Sequence, residues 1–112
     1  MEYQEEITKI QTEINVLRKT DSPHQVANIR LDLAGWKTWI GDKLTDLEIA
    51  YNVELNQIMF DKGIPATQAK IKAQAGDNYA MYAKFKQLYN DVKTVISAAR
   101  TKLSVLEREE YR

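Results

Sequence analysis

An all-α fold, a long antiparallel helical hairpin of coiled-coil type with a shorter N-terminal helix beside it, follows from three features of this 112-residue chain. Only four Gly and two Pro are spread over it, far fewer turn residues than an all-β protein of this size needs. Hydrophobic residues make up 44% of the chain, enough to exclude wholesale disorder. Most specific is the series Ile71, Ala75, Asn78, Tyr82, Phe85, Tyr89, Val92, Ile96, Ala99, Leu103 and Leu106, spaced alternately by four and three residues. That spacing lays every member on one stripe of a helix, and the stripe has to pack against other helices.

The first helix reads Tyr3, Ile7, Ile10, Ile14 and Leu17 at the same alternation and is predicted to run from about residue 2 to 20. Asp21-Ser22-Pro23 then marks a boundary: a Ser or Asp cap followed by Pro at the first helical position satisfies orphan amides. The second helix, about residues 23–61, carries Val26, Ile29, Leu33, Trp36 and Ile40 in register. An extra four-residue step then shifts its stripe to Leu44, Leu47, Tyr51, Leu55 and Ile58. Gly35 and Gly41 interrupt this helix at roughly 1 kcal/mol each and suggest close helix approach. Asp61-Lys62-Gly63-Ile64-Pro65 ends it, with Gly at the left-handed capping position. The third helix is predicted over about residues 66–109. Gly76-Asp77 could split it, but the heptad series crosses that point in register and favours continuity.

At 1.5 Å per residue the three helices are roughly 28, 55 and 65 Å long, too unequal for a bundle of equal members. A hairpin turning at Gly63 pairs residues whose numbers sum to about 127, so Ile40 falls near Phe85. The first helix then covers only the far end, giving a partial three-helix bundle there and two helices near the Gly63 tip. The whole chain, 1–112, reads as a single all-helical domain. Met81, Leu88 and Val95 widen the heptad stripe, and Trp39 lies about 60° from Trp36 at the edge of the core. Trp39, Met81, Leu88 and Val95 are therefore the expected oligomer interface, and a homo-oligomer the expected state.

Sixteen basic and sixteen acidic side chains cancel, so the overall basic excess usual for a DNA-binding domain is missing. The chain has no cysteine, which removes disulfides and thiolate metal sites and fits a reducing compartment. Its start, Met1-Glu2-Tyr3-Gln4-Glu5-Glu6, is acidic where a signal peptide is basic, and no apolar run approaches the ~20 residues of a membrane span. The expectation is a cytoplasmic protein with no membrane association.

His24, the only histidine, lies near Ser22 and Asp21 in one interhelical turn, where helix capping explains all three better than a catalytic triad. One histidine makes no His-rich metal site, and no Glu-x-x-His pair serves a carboxylate-bridged one. Glu107, Glu109 and Glu110 read as a solvated terminus. No catalytic, metal or cofactor residue is assigned, and the protein is expected not to be an enzyme.

Lys72, Lys86, Lys93 and Arg100 occupy one heptad position, with Tyr79 at the remaining turn of the row. With Lys70, Lys84 and Lys102, residues 66–106 hold seven basic and two acidic side chains. Two readings stand. The row could follow a nucleic-acid backbone through phosphate contacts, with the Tyr79 ring as a stacking surface. Alternatively its charges pair with Asp42, Asp46, Glu48 and Glu54 on the opposing arm, or across subunits.

The stretches Lys62-Gly63-Ile64-Pro65-Ala66-Thr67, Tyr79-Ala80-Met81-Tyr82, Phe85-Lys86-Gln87-Leu88-Tyr89 and Ala98-Ala99-Arg100-Thr101-Lys102-Leu103-Ser104-Val105-Leu106 resemble small helical proteins of tailed bacteriophages. Such proteins are encoded among early replication and recombination genes. The layout over roughly residues 36 to 106 also resembles the T4-type phage recombination mediators. That resemblance implies a non-enzymatic accessory protein in a bacterial host that self-associates, binds single-stranded DNA and meets a replication or recombination protein. It carries the binding role to Lys72, Lys86, Lys93 and Arg100. The rival expectation is a protein-only inhibitor or adaptor docking on a host or phage protein.

Overall fold

The computed structural model describes residues 3–110, and among them no strand occurs. Four helices follow one another: α1 (Gln4–Lys19), α2 (Pro23–Lys62), α3 (Ala66–Gln74) and α4 (Asp77–Glu110). The fold is the expected all-α hairpin, with α2 and α4 as its long, closely packed arms. The start expected at residue 2 and the side chain of Glu110 lie outside the described residues.

α1 starts at Tyr3, whose φ of 67° places it in the left-handed region, and the Tyr3 carbonyl accepts the Ile7 N–H at 3.0 Å. Glu5 and Glu6 in its first turn and Arg18 and Lys19 in its last complement the helix dipole. At the next boundary Ser22 Oγ accepts the Gln25 N–H at 3.4 Å, a serine cap just ahead of Pro23. Thr20 Oγ1 accepts the Ser22 N–H at 3.2 Å and hydrogen-bonds Gln25 Oε1, which fixes the turn. α2 ends as its sequence predicts, with Gly63 left-handed at φ 57°.

The chain forms two compact units, one made of residues up to Thr38 together with those from Asn90 onward, the other of Trp39–Tyr89. The first is a three-helix unit. Ile7, Ile10, Ile14 and Leu17 of α1, Val26, Ile29 and Leu33 of α2, and Val92, Val95 and Ala99 of α4 are buried in it. Each large aliphatic there contributes about 1.5–3 kcal/mol by leaving water.

The second unit is built from α2, α3 and α4 around Ile40, Ala69, Ala73, Phe85 and Leu88. The expected pairing holds: the Trp39 and Phe85 rings lie 5.8 Å apart, and a Cβ placed on Gly41 would sit 3.8 Å from Tyr89. The latter is an ordinary contact distance and Gly35 faces open space, so close helix approach, expected from the sequence, accounts for neither glycine.

One continuous helix over 66–109 does not form. The Gly76 N–H bonds the Ala73 carbonyl at 3.0 Å, the Ala75 N–H bonds that of Lys72 at 3.2 Å, and α4 begins afresh at Asp77. A Cβ on Gly76 would meet Glu54 Oε1 at 2.9 Å and the Ala73 carbonyl oxygen at 3.3 Å, so a side chain there would displace the Glu54 carboxylate and crowd the turn. Because the break resets helical phase, the early members of the heptad series lose their stripe. Ala69 and Ala73 are buried, while Ile71 is 66% exposed and Ala75 and Asn78 are exposed. The tip of the hairpin is therefore three helices deep, with small alanines letting α3 approach, and not the two-helix arm expected from length alone.

Candidate nucleic-acid interface

α4 carries Lys86, Lys93 and Arg100 at seven-residue spacing, and all three are exposed. Each seven-residue step turns the side chain by only about 20°, so the three share one helix face. Lys72 is exposed too, but the break at Gly76 puts it on α3, outside the row. None of the four meets an acidic oxygen within 4.0 Å among the described residues. The expected partners are used differently or stand exposed. Glu54 Oε2 accepts a 2.8 Å hydrogen bond from Asn78 Nδ2 at the start of α4, and Asp42, Asp46 and Glu48 are exposed.

Tyr79 is half-buried and belongs to an aromatic cluster. Its ring lies 5.4 Å from that of Tyr51 and 6.4 Å from that of Tyr82, and Tyr51 and Tyr82 are stacked at 6.3 Å. Much of its face is already taken, so Tyr79 offers an edge where a full stacking platform was expected. Lys86 Nζ stands 6.0 Å from the centre of the Tyr82 ring, an attraction that orients the cation while leaving it in water. Of the neighbouring basic residues, Lys102 is spent internally, its ammonium donating to the Leu17 carbonyl at 3.1 Å.

The residues expected at an oligomer interface are placed otherwise. Leu88 and Val95 are buried within the chain's own core and have no surface left for a second copy. Trp39 and Met81 are half-buried, Trp39 against Phe85 and with Lys43 Nζ 5.9 Å from its ring. The wide apolar side of α4 is covered by α1, α2 and α3. Exposed large apolar residues occur singly at Leu31, Ile71 and Val105 and as a group on α2, at Ile49 (56% exposed), Val53 (50%) and Phe60 (89%). Steps of four and seven residues put these three on one stripe. The signal was present in the sequence but masked by the stronger Leu44-to-Ile58 series on the opposite side of the same helix.

Two further polar features escape sequence reasoning. Glu13 of α1 is pushed above the usual carboxylate range, first by burial and then by the Asp32 carboxyl beside it, through charge and through a shared hydrogen bond. A hydrogen bond with Trp36 pulls the other way, and Glu13 Oε2 has no donor. The Tyr51 hydroxyl is likewise buried without a partner. No group of three or more His, Cys, Asp or Glu side chains that could hold a metal occurs among the described residues, nor any helix long and apolar enough to cross a membrane. Compared with known proteins, the chain matches no family model, no curated protein and no solved structure.

Proposed function

We propose that this is a non-enzymatic, self-associating helical accessory protein of phage or prophage type that binds single-stranded nucleic acid in recombination or replication. The observation that carries the reading is the row Lys86, Lys93 and Arg100, exposed on one helix and without acidic partners among the described residues. Like charges aligned in this way repel one another, and an anionic backbone relieves that repulsion while releasing its counterions. The row advances about 10.5 Å per step, far enough for each cation to take a separate phosphate, and phosphate contacts carry no base information. Binding is then electrostatic and tolerant of sequence.

Fluorescence anisotropy of a labelled single-stranded oligonucleotide over a salt series tests it. Three neutralised phosphates give a log–log salt slope of about −2. Replacing Lys86, Lys93 and Arg100 together by Glu abolishes binding, and a triple variant that binds as well as the parent would sink the proposal.

The exposed stripe Ile49, Val53 and Phe60 supports a second reading, a protein-only inhibitor or adaptor that docks on a host or phage protein through α2. Such a protein would ignore DNA and copurify with one partner.

A further inference from the structure

Within the first unit an open cleft of about 270 Å³ runs between the last turns of α1 and the middle of α4. Leu17, Val95, Ala98 and Ala99 line it with carbon, and Arg18, Thr94 and Lys102 supply its polar groups. The cleft exists because α4 presents two alanines in succession where α1 comes to its end, so no side chain reaches into the space. Leu17, Val95 and Ala99 are buried and form a rigid floor, while Ala98 and Thr94 are exposed and form the open wall.

The two charged side chains that line this cleft, Arg18 and Lys102, are both basic. The carbonyl end of α1 points toward it and would repel an anion. Lys102 reverses that effect, since its ammonium is held on the Leu17 carbonyl at 3.1 Å and leaves a net positive edge. Arg18 is exposed and meets no acidic oxygen within 4.0 Å among the described residues, so its guanidinium fork is open to a ligand. Among the described residues no acidic side chain lines the cleft.

We propose that this cleft binds a small amphipathic carboxylate, its apolar body on Leu17, Val95, Ala98 and Ala99 and its carboxylate on Arg18 beside Lys102. The volume lies just below the range of drug-sized pockets, which limits the occupant to a medium-length chain or a single ring. An arginine fork favours a planar carboxylate, and the carbon floor requires a hydrophobic body behind it. A purely hydrophilic anion gains nothing from the floor, and a neutral alcohol gains nothing from Arg18.

Titration of octanoate into the isotope-labelled full chain, followed by amide chemical shifts, tests the assignment. Octanoate is expected to give saturable shifts centred on Thr94, Ala98 and Lys102, with octanol and acetate each binding at least about tenfold more weakly, one charge-assisted pair being worth roughly that factor. Arg18→Glu, at an exposed position, weakens octanoate by about tenfold or more while leaving octanol unchanged. Ala98→Leu fills the cleft and abolishes both, with the helical circular dichroism retained. Equal binding of octanoate and octanol would overturn the anion assignment. Shifts centred on Phe60, or none at all, would overturn the site, leaving the cleft a packing gap that holds only water.

Discussion

Glu13 is the side chain least suited to its surroundings. Its folded-state pKa lies above the ordinary 4.5, because burial and the Asp32 carboxyl both disfavour its charge. The sign follows from linkage: the stabilisation belonging to the protonated form is fully present below pH 4.5 and is lost as pH rises through the raised folded value. Near neutrality Glu13 therefore weakens the fold. Glu13→Gln keeps an acceptor for Trp36 and removes the charge, so its melting temperature should exceed the parent's at pH 7 and converge with it in mild acid. Thermal unfolding at several pH values reads this directly, and a gap that widens in acid would contradict it. Tyr51 presents the neutral version of the same problem, a buried hydroxyl with no partner. An unsatisfied group of this kind costs about 1–3 kcal/mol, whereas the ring stacked on Tyr82 is favourable. Tyr51→Phe retains the stack and should raise stability by about 1 kcal/mol in urea unfolding.

Among the elements, helix ends decided more than helix interiors. Ser22 with Pro23, and Gly63 with Pro65, were legible because capping chemistry is local: each signal depends on residues within one turn. Gly63 is left-handed with open space where a Cβ would stand, so only its backbone conformation resists substitution. Gly63→Ala should cost about 1 kcal/mol by chemical denaturation, and a neutral result would mean the turn relaxes out of its left-handed form. Gly76 carried the same kind of signal and was outweighed by a heptad series that crosses it in register. The series misled because periodicity counts residues and not turns of backbone. Once Gly76 and Ala75 bond back to Ala73 and Lys72, α4 starts with a new phase, and Ala69 and Ala73 replace Ile71 and Ala75 in the core.

For the molecule as a whole the question is which surface remains after the chain has buried what it can. α4's broad apolar side is largely consumed internally, as Leu88 and Val95 show, and the exposed apolar residues that share one stripe are on α2, with Ile71 of α3 and Val105 of α4 exposed singly. Ile49, Val53 and Phe60, of which Phe60 exposes nine-tenths of its surface, form the stripe open both to the proposed self-association and to the rival docking on another protein, and the two differ in the mass of the purified protein alone. Light scattering coupled to size exclusion should give a mass above the 13.0 kDa of one chain, returning to that value in Phe60→Asp with helicity unchanged. A parent protein that elutes as a strict monomer at every concentration would refute it. Because Lys86, Lys93 and Arg100 lie on α4, that variant also separates assembly from DNA contact, and any fall in oligonucleotide affinity measures the avidity that assembly adds.

The sequence by itself determined the all-helical class, the first two helices, the Ser22 cap, the hairpin turn at Gly63 and the Lys86, Lys93 and Arg100 row, since each is set by short-range spacing and backbone chemistry. Tertiary structure alone decided which apolar stripe is covered. It buried Leu88 and Val95, exposed Phe60, gave Lys102 to the Leu17 carbonyl and opened a cleft beside Arg18. Those outcomes depend on the phase of each helix relative to its neighbours, and a single turn at Gly76 resets that phase without leaving a trace in the periodicity on either side.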